Sequence, residues 1–211
     1  MYRPKDRDEL EQLIVDCYYG KLYLNEIDVS LITDMGHIFN VEYHKDIDIN
    51  TLWDNPKNDI SDWNTSNVDS MYAMFYKSKF NQDISKWDIS NVIDMRGMFA
   101  YSKFNQDISK WDLSNVKYIN YMFAYSEFNQ DISEWILSLD NSVYIKKFNK
   151  KSKHGKIYGR INSYEDFIKS VNWNSIKEIM INSNNQKRYE ILKRLNSIKQ
   201  INDIELEISI N

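Results

Sequence analysis

The segment Phe80-Asn-Gln-Asp-Ile-Ser-Lys-Trp87-Asp88 recurs as Phe104-Asn-Gln-Asp-Ile-Ser-Lys-Trp111-Asp112 and again as Phe128-Asn-Gln-Asp-Ile-Ser-Glu-Trp135, each 24 residues after the last. A fixed short period places the same side chains at equivalent points of successive units. A unit of that size cannot enclose a core of its own, so its apolar residues must be buried against the next copy. Trp63 lies one period before Trp87, so an earlier copy begins upstream.

A second block is shared between these segments. It reads Ser66-Asn67-Val68 to Met71, Met74 and Phe75, then Ser90-Asn91-Val92 to Met95, Met98 and Phe99, then Ser114-Asn115-Val116 to Ile119, Met122 and Phe123. A divergent copy runs from Asp28 and Ser30 through Asp34-Met35 to Ile38-Phe39. Phe39 and Phe75 stand 36 residues apart, one period plus 12, so an insertion falls within 40–59 and is expected to protrude as a loop.

Val92, Met95, Met98 and Phe99 follow the spacing of one helix face, with Ser90 or Asn91 as N-cap. Phe80, Ile84 and Trp87 suit a short extended piece with a turn. The expected fold class is therefore α/β, a short leucine-rich-repeat-like solenoid of about four repeats. Phe, Ile and Trp ladders would form its core, each aromatic contributing about 1.5–3 kcal/mol when fully buried.

The pattern Phe-Asn-x-x-Ile-Ser-x-Trp-Asp-x-Ser-Asn-Val-x-x-Met-x-x-Met-Phe, over about 27–137, resembles the BspA-like leucine-rich-repeat surface proteins, the group with the DUF285 repeat. The resemblance implies an α/β solenoid, adhesion or protein recognition, and no catalytic residue to carry over. Members are often secreted or lipid-anchored, which makes the cell surface the alternative location.

Three regions follow: an N-terminal helical cap over 1–26, the repeats over 27–141 with their insertion, and a basic segment with a C-terminal α/β module or cap over 142–211. In the first, Asp6 and Glu9 fit a capping arrangement, Leu10, Leu13, Ile14 and Cys17 share a face, and Gly20 fits a helix stop. In the last, Ser163-x-x-Asp166 reads as a helix start, Ile176 to Ile181 as a strand, 185–198 as a helix, and the alternation Ile204, Leu206, Ile208, Ile210 as a strand.

Hydrophobic residues make up 42% of the 211, enough for a packed core. The net charge of −4 is uneven. Residues 1–135 carry 13 Lys/Arg against 23 Asp/Glu, and 136–211 carry 14 against 8. Cys17 alone forms no internal disulfide and reads as a core residue. The charged start and the lack of an apolar run of about 20 residues give no export signal and no membrane span. The expectation is a cytoplasmic protein.

The chemistry is sparse. Asp83, Asp107 and Asp131, with Asp88 and Asp112, form rows that read as turn-stabilising carboxylates in preference to calcium ligands. Asp46-x-Asp48-x-Asn50 opens like an EF-hand but has Thr51 and Lys57 where Gly and Glu are required. His37, His44 and His154 have no partners at metal-ligand spacing. No nucleophile–base arrangement or phosphate loop is present. No catalytic residue, metal site or cofactor is expected, and the chain reads as a non-enzyme.

The leading function is recognition of a protein of unspecified identity by the variable repeat positions Lys77, Lys79, Arg96, Tyr101, Lys103, Lys117, Tyr118, Tyr121, Tyr125 and Glu127. Tyr and Arg are the types that dominate binding hot spots. An inhibitor or immunity-type protein that blocks an enzyme or effector is a sharper form of the same reading. Nucleic-acid binding through Lys146, Lys147, Lys150, Lys151, Lys153, Lys156 and Arg160 is the alternative, with Phe148 and Tyr158 interleaved. A surface adhesin is another.

Overall fold

The computed structural model describes residues 1–139, 143, 167 and 171–202, with side chains through 196. Residues at the 24-residue period come into register and are joined by hydrogen bonds and ring contacts. Met71, Ala73, Phe75 and Lys77 donate their backbone N–H groups to the carbonyls of Asp94, Arg96, Met98 and Ala100, at 2.8–2.9 Å. Met95, Gly97, Phe99 and Tyr101 do the same to Tyr118, Asn120, Met122 and Ala124.

This pattern corrects the expected fold class. The described residues contain no strand or sheet, and the α/β leucine-rich-repeat-like solenoid is not what the chain forms. The only β pairing in them consists of isolated parallel bridges, Asp34 to Ser70 to Asp94 to Tyr118, and Tyr2 to Ile27.

The helix expected over Val92–Phe99 is also absent, replaced by consecutive turns. Alternate N–H groups in this block turn outward to the next copy, while Met74, Tyr76 and Ser78 donate to carbonyls three residues back. An α-helix needs every N–H directed at the fourth carbonyl back, so the two patterns exclude each other. Left-handed residues recur every four positions: Ala73 and Lys77, Gly97 and Tyr101, Tyr121 and Tyr125, all with φ between 50° and 62°. Helical spacing and this run of turns bury the same residues, and Val92, Met95, Met98 and Phe99 are all fully enclosed.

The expected caps on that helix bind elsewhere. Asn67, Asn91 and Asn115 donate their side-chain amides to the Ser30, Ser66 and Ser90 carbonyls of the preceding copy, each at 2.7 Å.

Between the blocks, side chains hold the register. The Trp63, Trp87, Trp111 and Trp135 indoles donate to the carbonyls of Leu24, Ile60, Ile84 and Ile108. Phe75, Phe99 and Phe123 lie face over face at 5.6–5.8 Å, and Phe80, Phe104 and Phe128 at 6.0–6.1 Å. The two columns touch at about 4 Å within each copy.

At the N-terminus, α1 (Arg7–Tyr18) is capped by Asp6, whose side chain accepts from the Glu9 N–H, and buries Leu10, Ile14 and Cys17. Gly20 follows it with φ 71°. The insertion does not simply protrude. Its 3-10 helix Ile49–Asp54 buries Ile49 and Leu52. Trp53 meets Phe39 and Phe80 edge-on at 4.9 Å and donates to Ser78 Oγ.

At the other end lie the 3-10 helix Ser133–Leu137 and the helices α2 (Trp173–Ile181) and α3 (Asn185–Asn202). The strand expected at Ile176–Ile181 is therefore part of α2. Ile176 and Met180 are buried, spaced as one helix face. Asn172 and Ser175 reach Asp131 and Ser133, and Arg194 donates to the Ile136 carbonyl. The expected helix start at 163–166, the strand at 204–210 and the basic run 146–160 lie outside the described residues. No helix among the described residues is long and apolar enough to cross a membrane.

Candidate functional site

One face of the turn blocks forms a groove of about 570 Å³. Its floor is small: Ala73, Gly97, Ala100 and Ala124. These four residues are buried beneath the taller side chains around them. Tyr72, Arg96 and Asn120 occupy one equivalent position of the three copies, while Tyr101 and Tyr125 occupy another.

Arg96 is pinned. Its guanidinium bonds Asp94 through Nε and Nη2, and lies 5.1 Å and 5.2 Å from the Tyr72 and Tyr118 ring centres. The Asp94 carboxylate raises the Arg96 pKa further, so the cation is permanent. Across the floor, Tyr101 and Tyr125 stack face to face at 4.7 Å, and Tyr76 meets Tyr101 edge-on at 5.5 Å. Desolvation in this stack raises the Tyr101 hydroxyl pKa, so it stays protonated at neutral pH. Lys77 beside the groove is bound to Glu42 at 2.5 Å. The charges at the groove are thus locally balanced.

Of the residues singled out from the sequence, Arg96, Tyr101, Tyr121 and Tyr125 line the groove, and Tyr118 and Lys77 flank it. Lys79, Lys103, Lys117 and Glu127 do not line it. Lys103 and Glu127 form an ion pair with each other. Sequence reasoning missed Tyr72, Tyr76, Asn120 and the small floor. Their signal was there: positions 72/96/120 and 76/100/124 vary between copies, while Met74/Met98/Met122 and Phe75/Phe99/Phe123 between them repeat.

Asn120 is 7% exposed, and its Oδ1 is the buried side-chain polar atom without a hydrogen-bond partner among the described residues. An orphaned buried acceptor costs about 1–3 kcal/mol, so such atoms are rare.

The carboxylate rows have a structural role. Asp83, Asp107 and Asp131 accept from the Ser85, Ser109 and Ser133 N–H groups at 2.9 Å, and Asp88 and Asp112 accept from Ser90 and Ser114 at 3.0 Å. These bonds hold Asp83 and Asp88 below the usual carboxylate range. Asp48 caps the 3-10 helix of the insertion, accepting from the Asn50 N–H. Among the described residues no group of three or more His, Cys, Asp or Glu is placed to hold a metal ion. Burial pushes the Cys17 thiol up to about 12, which keeps it protonated and inert as a nucleophile at neutral pH.

A family model described as Mycoplasma protein of unknown function, DUF285, matches residues 48–159. The chain belongs to the DUF285 family. The match starts later and runs further than the 27–137 of the repeat motif. It takes in the groove's three copies and the lysines of the basic run, and leaves Arg160, α1, α2 and α3 outside. The DUF285 description carries no activity, so function rests on the groove itself. Searches of curated proteins and of solved structures found no match to the chain.

Proposed function

We propose that this DUF285 protein is a non-enzymatic recognition module whose partner is another protein. The observation that carries this is the groove with its rim, where Tyr72, Tyr101, Tyr118, Tyr121 and Tyr125, each 41–46% exposed, gather around Arg96 on one face. Aromatic residues and arginine concentrate binding energy, because the rings offer large area at low entropic cost and the guanidinium offers directional polar groups. The small floor gives the face concavity. Blocking of an enzyme or effector is one use of such a face.

The test is capture of partners from source cells by the tagged full chain, with and without nuclease, at low and high salt. A stoichiometric protein should survive nuclease and high salt. The double variant Tyr101→Ala/Tyr125→Ala should lose it while remaining folded by circular dichroism. Recovery of nucleic acid that vanishes at high salt would move the function to Lys146–Arg160. Undiminished capture by the double variant would remove the groove from the interaction.

A further inference from the structure

Resting on the recognition reading, we infer that the groove takes an extended, uncharged segment of polypeptide and bonds its main chain through Asn120. The groove differs from a flat contact face in having a small-residue floor, a polar group held without a partner, and a wall in which Tyr101 and Tyr125 stack on each other.

The floor is open for close approach. A Cβ built on Gly97 would meet nothing within 4 Å, so the missing side chain leaves space. The equivalent positions in the other copies are Ala73 and Tyr121, both left-handed like Gly97. The backbone there accepts a side chain as large as tyrosine, and glycine in the middle copy keeps the centre of the groove clear.

Asn120 lines that clearing with its Oδ1 unpaired. A primary amide carries an acceptor and a donor side by side, which matches the N–H and C=O of an extended main chain. Rotation of the side chain toward the groove would let one peptide unit satisfy both. The cost borne by the empty protein is thereby relieved on binding, and relief of an unpaired buried group is a strong source of discrimination.

Two features select among ligand classes. The Tyr101 and Tyr125 faces cover each other, and Arg96 lies against Tyr72 and Tyr118. That stack covers one face of each ring, and sugars stack on open ring faces, whereas the tyrosine hydroxyls suit main-chain hydrogen bonding. Arg96 is neutralised by Asp94 and Lys77 by Glu42. An anionic strand would find no uncompensated cation among these groups.

The test is selection of linear dodecapeptides from a random display library against the full chain, followed by titration of the enriched synthetic peptides. Enriched sequences should be low in charge, and their affinity should change little with salt. Methylation of one main-chain nitrogen should weaken binding at least tenfold. Gly97→Tyr, which copies the side chain at 121, should abolish binding while the circular dichroism spectrum is kept. Asn120→Leu should weaken binding at least tenfold yet raise the melting temperature, because it removes the orphan acceptor. A purely structural amide would lower both. Enrichment of no peptide, equal binding by both variants, or saturation of the groove by chitohexaose in place of peptide would overturn the inference. Should the captured protein partner of the preceding test still bind Gly97→Tyr, this inference fails and the recognition reading stands.

Discussion

At the scale of single residues, polar groups hold the register of the copies. The Trp63, Trp87, Trp111 and Trp135 indoles each donate to the carbonyl of a residue 27 or 39 positions earlier. Trp111→Phe trims the buried indole to a phenyl and removes its N–H, leaving the Ile84 carbonyl with the Trp87 N–H alone. It should cost about 1–3 kcal/mol in urea unfolding, with an unchanged denaturant slope. The histidines set a pH dependence. Burial lowers the pKa of His37 and of His44 below the usual 6.5, against the opposing pull of Asp34 on the first and of the Ile38 carbonyl on the second. The unfolded chain therefore takes up protons first, and stability declines as pH falls from about 6.5 through the folded values. Asp28, Asp83 and Asp88 lie below their usual 3.8, so their contribution is lost only in stronger acid. The melting temperature should fall between about pH 7.5 and pH 5, and His37→Gln/His44→Gln should flatten that fall.

At the scale of elements, the regular helices obey local rules and the repeats do not. Asp6, Glu9, the apolar stripe and Gly20 delimit α1 from sequence alone, because capping and amphipathicity are local. Asp6→Ala should cost about 0.5–2 kcal/mol, read from the thermal midpoint. In the turn block the same kind of stripe, Val92 to Phe99, gave a helix that does not form. The spacing of buried residues was legible, but the direction of each N–H was not, since its acceptors lie in the next copy. Ile176 to Ile181 erred the other way. A short apolar run reads equally as a strand, and the burial of Ile176 and Met180 on one face settles it as helix α2.

At the scale of the molecule, one apolar cluster runs from Leu10 in α1 through the aromatic columns to Leu195 in α3. Phe99 sits at its middle, stacked between Phe75 and Phe123 and against Phe104. Phe99→Ala should cost about 3–5 kcal/mol and lower the melting temperature of the whole cluster, with one transition by tryptophan fluorescence and by circular dichroism. The period, the identity of the core residues, the turn role of the aspartates and the inert character of Cys17 were all determined by the sequence itself. They follow from composition at fixed spacing and from local hydrogen-bonding chemistry. The tertiary structure alone decided that the copies join through turns and single bridges rather than strands and helices. It decided that Trp53 folds back onto Phe39 and Phe80. It also decided which variable residues face one groove. Those outcomes depend on partners in other copies or across the insertion, and no local pattern records where an N–H, an indole or the Asn120 amide will find its acceptor, or fail to.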